Sequence, residues 1–192
     1  MKNSHLILFF SVIALLACLT SCQKDDTSNP PLPDELPPIT QTGEQTFGCL
    51  LNGEVWVPKH YSNSIVNPPV VLQASWDRWN GDIFSIIAYH RRKDDSSINE
   101  TMAIYTFPDF IGDTAYFEYN ETGRRVTYYY TPYKNGPFNV YRSIATNRSW
   151  VYLSRFDTIN RIASGTFSID LLNIEDNQDT ISIREGRFDV RF

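Results

Sequence analysis

One stretch of the chain combines aromatic and polar side chains in the way that carbohydrate binding requires. An exposed indole stacks on the C–H face of a sugar, while nearby acid, guanidinium and amide groups bond its hydroxyls. In an uninterrupted strand Trp76 and Trp79 would point to opposite faces, so we expect one of them to be exposed. The predicted glycan-binding residues are Trp76, Asp77, Arg78, Trp79, Asn80 and, from a run of three tyrosines, Tyr130. The alternative is that these aromatic side chains form cross-strand pairs and close the ends of the fold.

Paired carboxylates offer a second kind of chemistry, the hydrolysis of glycosidic bonds. This reaction needs only two facing acids. Several acids fall near the ends of predicted strands: Asp77, Asp82, Asp109, Asp113 and Glu118. Acids are common at such positions, however, and the sequence contains no Gly-x-Ser-x-Gly nucleophile elbow. We therefore predict a non-catalytic protein with no catalytic residue, and a hydrolase is the less favoured alternative.

Histidine and cysteine are too sparse and too widely spaced to predict a metal site. A zinc site needs three or four ligands at short spacings, whereas His60 and His90 lie on different predicted segments. We predict no metal and no other cofactor. His60 is assigned to a loop after Pro58, and His90 to the exposed end of a strand. Cys49 lies in an apolar run, where a lone thiol is typically a small buried hydrophobe and not a nucleophile.

The elements that position these residues are predicted to be short strands. From Thr46 onward the apolar residues recur with a period of two, and β-branched and aromatic types are enriched. The predicted strands lie near residues 47–51, 55–58, 70–76, 83–89, 102–107, 114–119, 126–130, 150–156, 163–171 and 180–192. About ten strands at hairpin spacing indicate one all-β domain, an antiparallel β-sandwich or a flattened barrel.

Two local signals refine this prediction. Asn52-Gly53 separates two apolar runs and favours a tight type I′ hairpin. In the last strand the apolar residues change from odd positions, such as Ile183, to even positions, such as Phe188. This change of phase around Glu185-Gly186-Arg187 predicts a β-bulge or a break.

The N-terminal region indicates where the protein is sent. Lys2 precedes an apolar run from Leu6 to Leu19, which is typical of a secretory signal and too short to span a bilayer. Leu19-Thr20-Ser21-Cys22 resembles the bacterial lipobox, which implies cleavage after Ser21 and lipidation of Cys22, including a palmitate-type acyl chain. Gln23-Lys24-Asp25-Asp26 resembles the surface-export signal of Bacteroidota lipoproteins. The resemblance implies the outer leaflet of the outer membrane, and the alternative is a lipoprotein that faces the periplasm.

Motifs at both ends of the predicted domain resemble one family. Asn52-Gly53-Glu54-Val55-Trp56-Val57-Pro58 matches an N-G-x-x-W-x-P hairpin, and Gly186-Arg187-Phe188-Asp189 matches a C-terminal G-x-F-D strand. Both are similar to motifs of an uncharacterised family of Bacteroidota outer-membrane lipoproteins. The resemblance implies an all-β domain in the cell envelope, and it transfers no catalytic residue.

These observations define three segments and one expected function. Residues 1–21 are the predicted signal peptide, 22–45 the lipidated cysteine with a proline-rich tether, and 46–192 the all-β domain. The net charge of −5 excludes the basic footprint of a nucleic-acid-binding protein. We expect a lipid-anchored, surface-exposed binding or structural module whose partners are the outer membrane and a glycan or an envelope protein. A structural component of an outer-membrane assembly is the alternative.

Overall fold

The computed structural model describes residues 35–60, 70–79, 81–91, 99–108, 111–116, 125–131, 139–144, 146 and 148–192, and for residues 116 and 125–131 it describes the backbone alone. The predicted signal peptide, Cys22, most of the tether and Asn80 lie outside the described residues.

The described part of the chain forms eleven antiparallel strands. They are β1 (Thr46–Leu51), β2 (Glu54–Trp56), β3 (Leu72–Asp77), β4 (Ile83–Arg91), β5 (Asn99–Thr106), β6 (Thr114–Tyr116), β7 (Arg125–Thr131), β8 (Asn139–Ser143), β9 (Trp150–Asp157), β10 (Ile162–Asn173) and β11 (Thr180–Arg191). This confirms the predicted all-β class. In the same ranges, no helix has the length and apolar character needed to cross a membrane.

The strands form one hydrogen-bonded network that folds into two facing layers. The main path runs β2-β1-β11-β10-β8-β7-β5-β4-β3, and β6 joins it through β9. The long strand β10 is the branch point, because residues 162–168 pair with β9 and residues 171–173 pair with β8. The strands β1, β2, β6, β9, β10 and β11 make one layer, and β3, β4, β5, β7 and β8 make the other, which gives a sandwich.

Aromatic side chains from both layers meet in the core. The ring centroid of Phe84 on β4 lies 5.3 Å from that of Phe156 on β9 and 6.4 Å from that of Phe188 on β11. Phe84 and Phe167 are fully buried, and burial of each such side chain stabilises the fold by about 2–3 kcal/mol. No disulfide joins the described residues.

The predicted bulge in the last strand is confirmed. Between Phe167 and Ile169 the partner on β11 shifts from Gly186 to Ile183, so β11 carries one extra residue. The pairing with β1 shifts at the same place, and Glu185 has a φ of 51°. The extra residue changes the phase of the strand, and for that reason Ile183 and Phe188 are both buried.

Glycine and phenylalanine interlock across β10 and β11. Gly165 pairs with Phe188, and Phe167 pairs with Gly186. A Cβ at Gly165 would lie 2.8 Å from the Phe188 ring, and a Cβ at Gly186 would lie 2.5 Å from the Phe167 ring. Each ring therefore occupies the space above the opposite glycine, which gives the two Gly-x-Phe motifs a packing role.

Asp189, the last residue of the G-x-F-D motif, fastens the segment before β1 to the sheet. The side chain is 1% exposed and accepts five hydrogen bonds of 2.7 to 3.2 Å. The donors are the hydroxyls of Thr40 and Ser164 and the backbone N–H groups of Thr42, Gly43 and Glu44. Burial opposes ionisation, but the bonds from Ser164, Thr40 and the backbone outweigh it and hold the pKa of Asp189 at about 2. Thr40 and Thr42 to Glu44, which the sequence assigns to the tether, are therefore hydrogen-bonded to the sheet.

Candidate functional site

The predicted aromatic cluster lies at the turn between β3 and β4. Asp77 is the last residue of β3, and its Oδ1 accepts a 3.0 Å hydrogen bond from the backbone N–H of Trp79. Gly81 and Asp82 follow with φ values of 91° and 58°, in the left-handed region. An aspartate that bonds the backbone two residues later is a strong turn former. The bond to Asp77 therefore holds the backbone of Trp79 beside the end of β3.

Trp76 anchors this turn to the core. Its ring packs edge-on against Phe156 and Phe192, with centroids 5.3 and 6.0 Å away. Its indole Nε1–H donates a 2.6 Å bond to Asp82, and the guanidinium carbon of Arg78 lies 4.9 Å from the ring centroid. Because one face packs inward and the N–H is bonded, Trp76 supports the turn and holds Arg78, and it offers little surface to a ligand.

The sequence predicts that one of the two tryptophans is exposed, and the structure shows that it is Trp79. The side chain is 94% exposed, and Asp77 and Arg78 beside it are also exposed. An indole left almost wholly in water gains no stability from the fold, because its large apolar area stays hydrated. Such a side chain is available for stacking against a ligand.

The turn between β9 and β10 repeats this geometry with an aliphatic residue. Asp157 Oδ1 accepts a 3.0 Å hydrogen bond from the N–H of Ile159, and Ile159 is 90% exposed. Hydrogen bonds from Asn160, then Arg155, hold the pKa of Asp157 well below its usual range. Each turn presents an exposed apolar side chain two residues after an aspartate that bonds its N–H, so Ile159 provides a control for Trp79.

The backbone of Tyr130 lies far from this turn along the sheet. Its backbone is opposite Glu100 on β5, and Glu100 is opposite His90 on β4. Trp76 pairs with Phe84, at the other end of β4. Tyr130 is therefore level with His90, and Trp76 is level with Phe84 at the other end of the same strand. Since a strand rises about 3.4 Å per residue, Tyr130 and Trp76 are about 20 Å apart along the strand direction.

Each described acid that is a candidate for hydrolase chemistry accepts a hydrogen bond within a turn or at the end of a strand. Asp77 bonds Trp79, Asp82 bonds Trp76, and Asp113 accepts a 2.7 Å bond from the N–H of Thr114. The other two predicted candidates, at positions 109 and 118, lie outside the described residues.

A buried polar cluster at the far end of β4 and β5 is absent from the predicted site. Glu100 is 4% exposed and accepts a 2.7 Å hydrogen bond from the indole N–H of Trp56. The His90 ring lies 5.6 Å from that of Trp56, and His90 is half-buried. The prediction of an exposed His90 is therefore wrong, because the even positions of β4 face the core. The sequence contains a signal for this cluster in the alternation along β5. Glu100 lies two residues before the buried Met102, so both side chains face the same side of the sheet.

Cys49 is buried in the core between β2 and β11. It is fully inaccessible, and burial raises the pKa of its thiol to about 12. A thiol that does not ionise near neutral pH is neither a nucleophile nor a metal ligand. This confirms the interpretation of Cys49 as a small buried hydrophobe.

Comparisons with protein-family models, curated proteins and solved structures find no match for this chain.

Proposed function

We propose that this protein is a non-catalytic glycan-binding module of the cell envelope, with Trp79 as its stacking platform. The observation that carries the proposal is the 94% exposure of Trp79, whose backbone N–H donates a hydrogen bond to Asp77. Arg78, held over Trp76, and Asp77 supply polar groups beside the indole. This combination suits a sugar, which presents an apolar C–H face bordered by hydroxyls.

A platform of this kind binds each sugar weakly. One aromatic stacking contact contributes about 0.5–1.5 kcal/mol beyond area burial, whereas even a millimolar Kd needs about 4 kcal/mol. Many copies displayed side by side raise the overall affinity by linking separate binding events. Weak single sites therefore fit a protein that is concentrated on a surface.

We propose that Cys22 supplies this display through a lipid anchor at the outer membrane, with the domain facing the medium. The support is the Leu19-Thr20-Ser21-Cys22 motif followed by Gln23-Lys24-Asp25-Asp26. A lipidated protein incorporates labelled palmitate, and Cys22→Ser abolishes that labelling. Protease added to intact cells removes the domain if it faces outward. Protection of the domain until the outer membrane is broken places it in the periplasm instead.

A glycan array with clustered protein tests the binding function. The full chain in detergent is compared with Trp79→Ala and with the matched control Ile159→Ala, which removes an equally exposed apolar side chain from the equivalent turn. We expect wild type and Ile159→Ala to retain the same glycans, and Trp79→Ala to lose them. Absence of any retained glycan, or equal retention by all three proteins, contradicts the proposal.

A further inference from the structure

A cavity of about 340 Å³ lies over the outward face of β3 and β4, beside Arg191 at the end of β11. On β3 it is lined by Gln73 and Ser75, which pair with Ile87 and Ser85 on β4. The intervening residue of β4 is buried, so these side chains point away from the core. Small-molecule sites have volumes of about 300–1,000 Å³, so the cavity has the size of a site for one small ligand.

Two backbone carbonyls hold the guanidinium of Arg191 beside this cavity. Its Nε donates a 3.2 Å hydrogen bond to the C=O of Gly43, and its Nη2 donates a 3.0 Å bond to the C=O of Thr42. Among the described residues, Nη1 has no hydrogen-bond acceptor and Arg191 has no salt-bridge partner. The N–H groups of Nη1 are therefore available to a ligand, and a carboxylate is a strong acceptor for a guanidinium.

The other polar side chains of the lining are neutral and supply further donors. Gln45 Oε1 accepts a 2.6 Å bond from the backbone N–H of Arg191, which leaves the side-chain N–H₂ group of Gln45 for a ligand. The hydroxyl oxygens of Ser75 and Ser85 are 2.8 Å apart, so one hydroxyl donates to the other and the second keeps its O–H. None of these described lining residues is acidic. The lining therefore favours a ligand that carries both a negative charge and hydroxyl groups.

The cavity lies close to the turn that presents Trp79. Ser75 and Trp79 are four residues apart, so their Cα atoms are at most about 14 Å apart, a distance that an oligosaccharide can bridge. Asp77, the one acid of β3, lies between them in the sequence and bonds the N–H of Trp79. Its charge would repel an anion at the turn, so the anionic group of a ligand is expected at Arg191.

We propose that this cavity binds a sugar residue that bears a carboxylate, while a neighbouring residue of the same glycan stacks on Trp79. The inference rests on the proposed glycan-binding function and assigns its ligand to the acidic glycans. Arg191 binds the carboxylate, and the side chains of Gln45 and Gln73 with the serine hydroxyls bond the ring hydroxyls. Two linked contacts on one oligosaccharide bind more tightly than a single stacking contact.

An array of neutral oligosaccharides and of glucuronate, galacturonate and sialic acid oligosaccharides, each acid printed beside its methyl ester, tests this inference. The ester keeps the sugar rings and removes the charge. We expect the full chain in detergent to retain acidic glycans, with an apparent Kd about tenfold or more below that for the esters. Arg191→Gln should raise the Kd for the acids about tenfold or more. The control Arg142→Gln, which changes an exposed arginine on β8 four strands away from β3, should leave it unchanged.

Gln73→Glu is a second variant, and it leaves the hydrogen bonds of Arg191 in place. It adds a negative charge to the cavity with almost no change of shape, so the Kd for the acids should rise about tenfold or more while that for the esters stays unchanged. The inference is wrong if acids and esters bind equally, or if Gln73→Glu binds the acids like wild type. Retention of neutral glycans alone, lost in Trp79→Ala, overturns this inference and leaves the glycan proposal standing. Acid binding that Trp79→Ala does not weaken contradicts the stacking role of Trp79 and supports the cavity.

Discussion

Replacement of Asp189 by asparagine should destabilise the domain and release the segment before β1. The carboxylate accepts bonds on both oxygens, from Ser164 and Gly43 on one and from Thr40, Thr42 and Glu44 on the other. An asparagine places an N–H₂ group where one oxygen was, so two or three donors then face a donor. Each buried donor left without an acceptor costs about 1–3 kcal/mol.

The pKa of Asp189 gives an independent magnitude. The difference between its ordinary pKa of 3.8 and about 2 in the fold corresponds to about 2 kcal/mol in favour of the ionised form. Together these considerations predict that Asp189→Asn lowers the free energy of unfolding by about 2–4 kcal/mol at neutral pH. Because the pKa is lowered on folding, this stabilisation is present above pH 3.8 and is lost as the pH falls toward 2.

Urea unfolding of the full chain from pH 7 down to pH 2 measures both effects. The stability difference between wild type and Asp189→Asn should hold down to about pH 5 and shrink between about pH 4 and pH 2. The amides of Thr42 and Gly43 should exchange faster in the variant. Asp176→Asn is the control, since the side chain of this exposed acid bonds only the nearby N–H of Gln178 in the described structure, and its effect should stay below about 0.5 kcal/mol. Equal stability of Asp189→Asn and wild type, or a difference that persists at pH 2, would refute this account.

Other consequences follow from the packing. Gly165→Ala places a Cβ 2.2 Å from a backbone oxygen of β9, so urea unfolding should show a loss of about 2–4 kcal/mol. Gly53→Asn, in open space at a φ of 89°, should cost less than about 1 kcal/mol. Cys49 should resist iodoacetamide at pH 8 in the native protein and react in urea, and fast native alkylation would contradict its burial. Trp76→Ala should destabilise by about 2 kcal/mol, whereas Trp79→Ala should change stability by less than about 0.5 kcal/mol, and equal effects in thermal unfolding would contradict their assigned roles.

Features of the fold that depend on residues close together in the sequence were predictable. The Asn52-Gly53 hairpin and the bulge at Glu185 follow from turn chemistry and from the phase of apolar residues within one strand. The strand Asn139–Ser143 was not predicted, since it shows no clear alternation. Its place is determined by backbone bonds to β7 and β10, which a local pattern does not reveal.

The same distinction applies to the residues of the predicted site. The exposure of Trp79 follows from the local turn, which Asp77 and Gly81 favour. The position of Tyr130 depends on the register of β7 against β5, which is set by packing across the whole layer. Asp189 belongs to the G-x-F-D motif, but its partners at positions 40–44 are distant in sequence, so a local pattern does not reveal that it binds the segment before β1.

The most direct test of the central claim is the indole N–H spectrum during titration with a glycan that the array identifies. The chain has four tryptophans, so its ¹⁵N spectrum contains four indole signals, and Trp79→Phe assigns the one of interest. We expect the Trp79 signal to shift and saturate with added glycan, while the buried Trp56 signal stays in place. Glycan binding that leaves the Trp79 signal unmoved would contradict the assignment of Trp79 as the stacking platform.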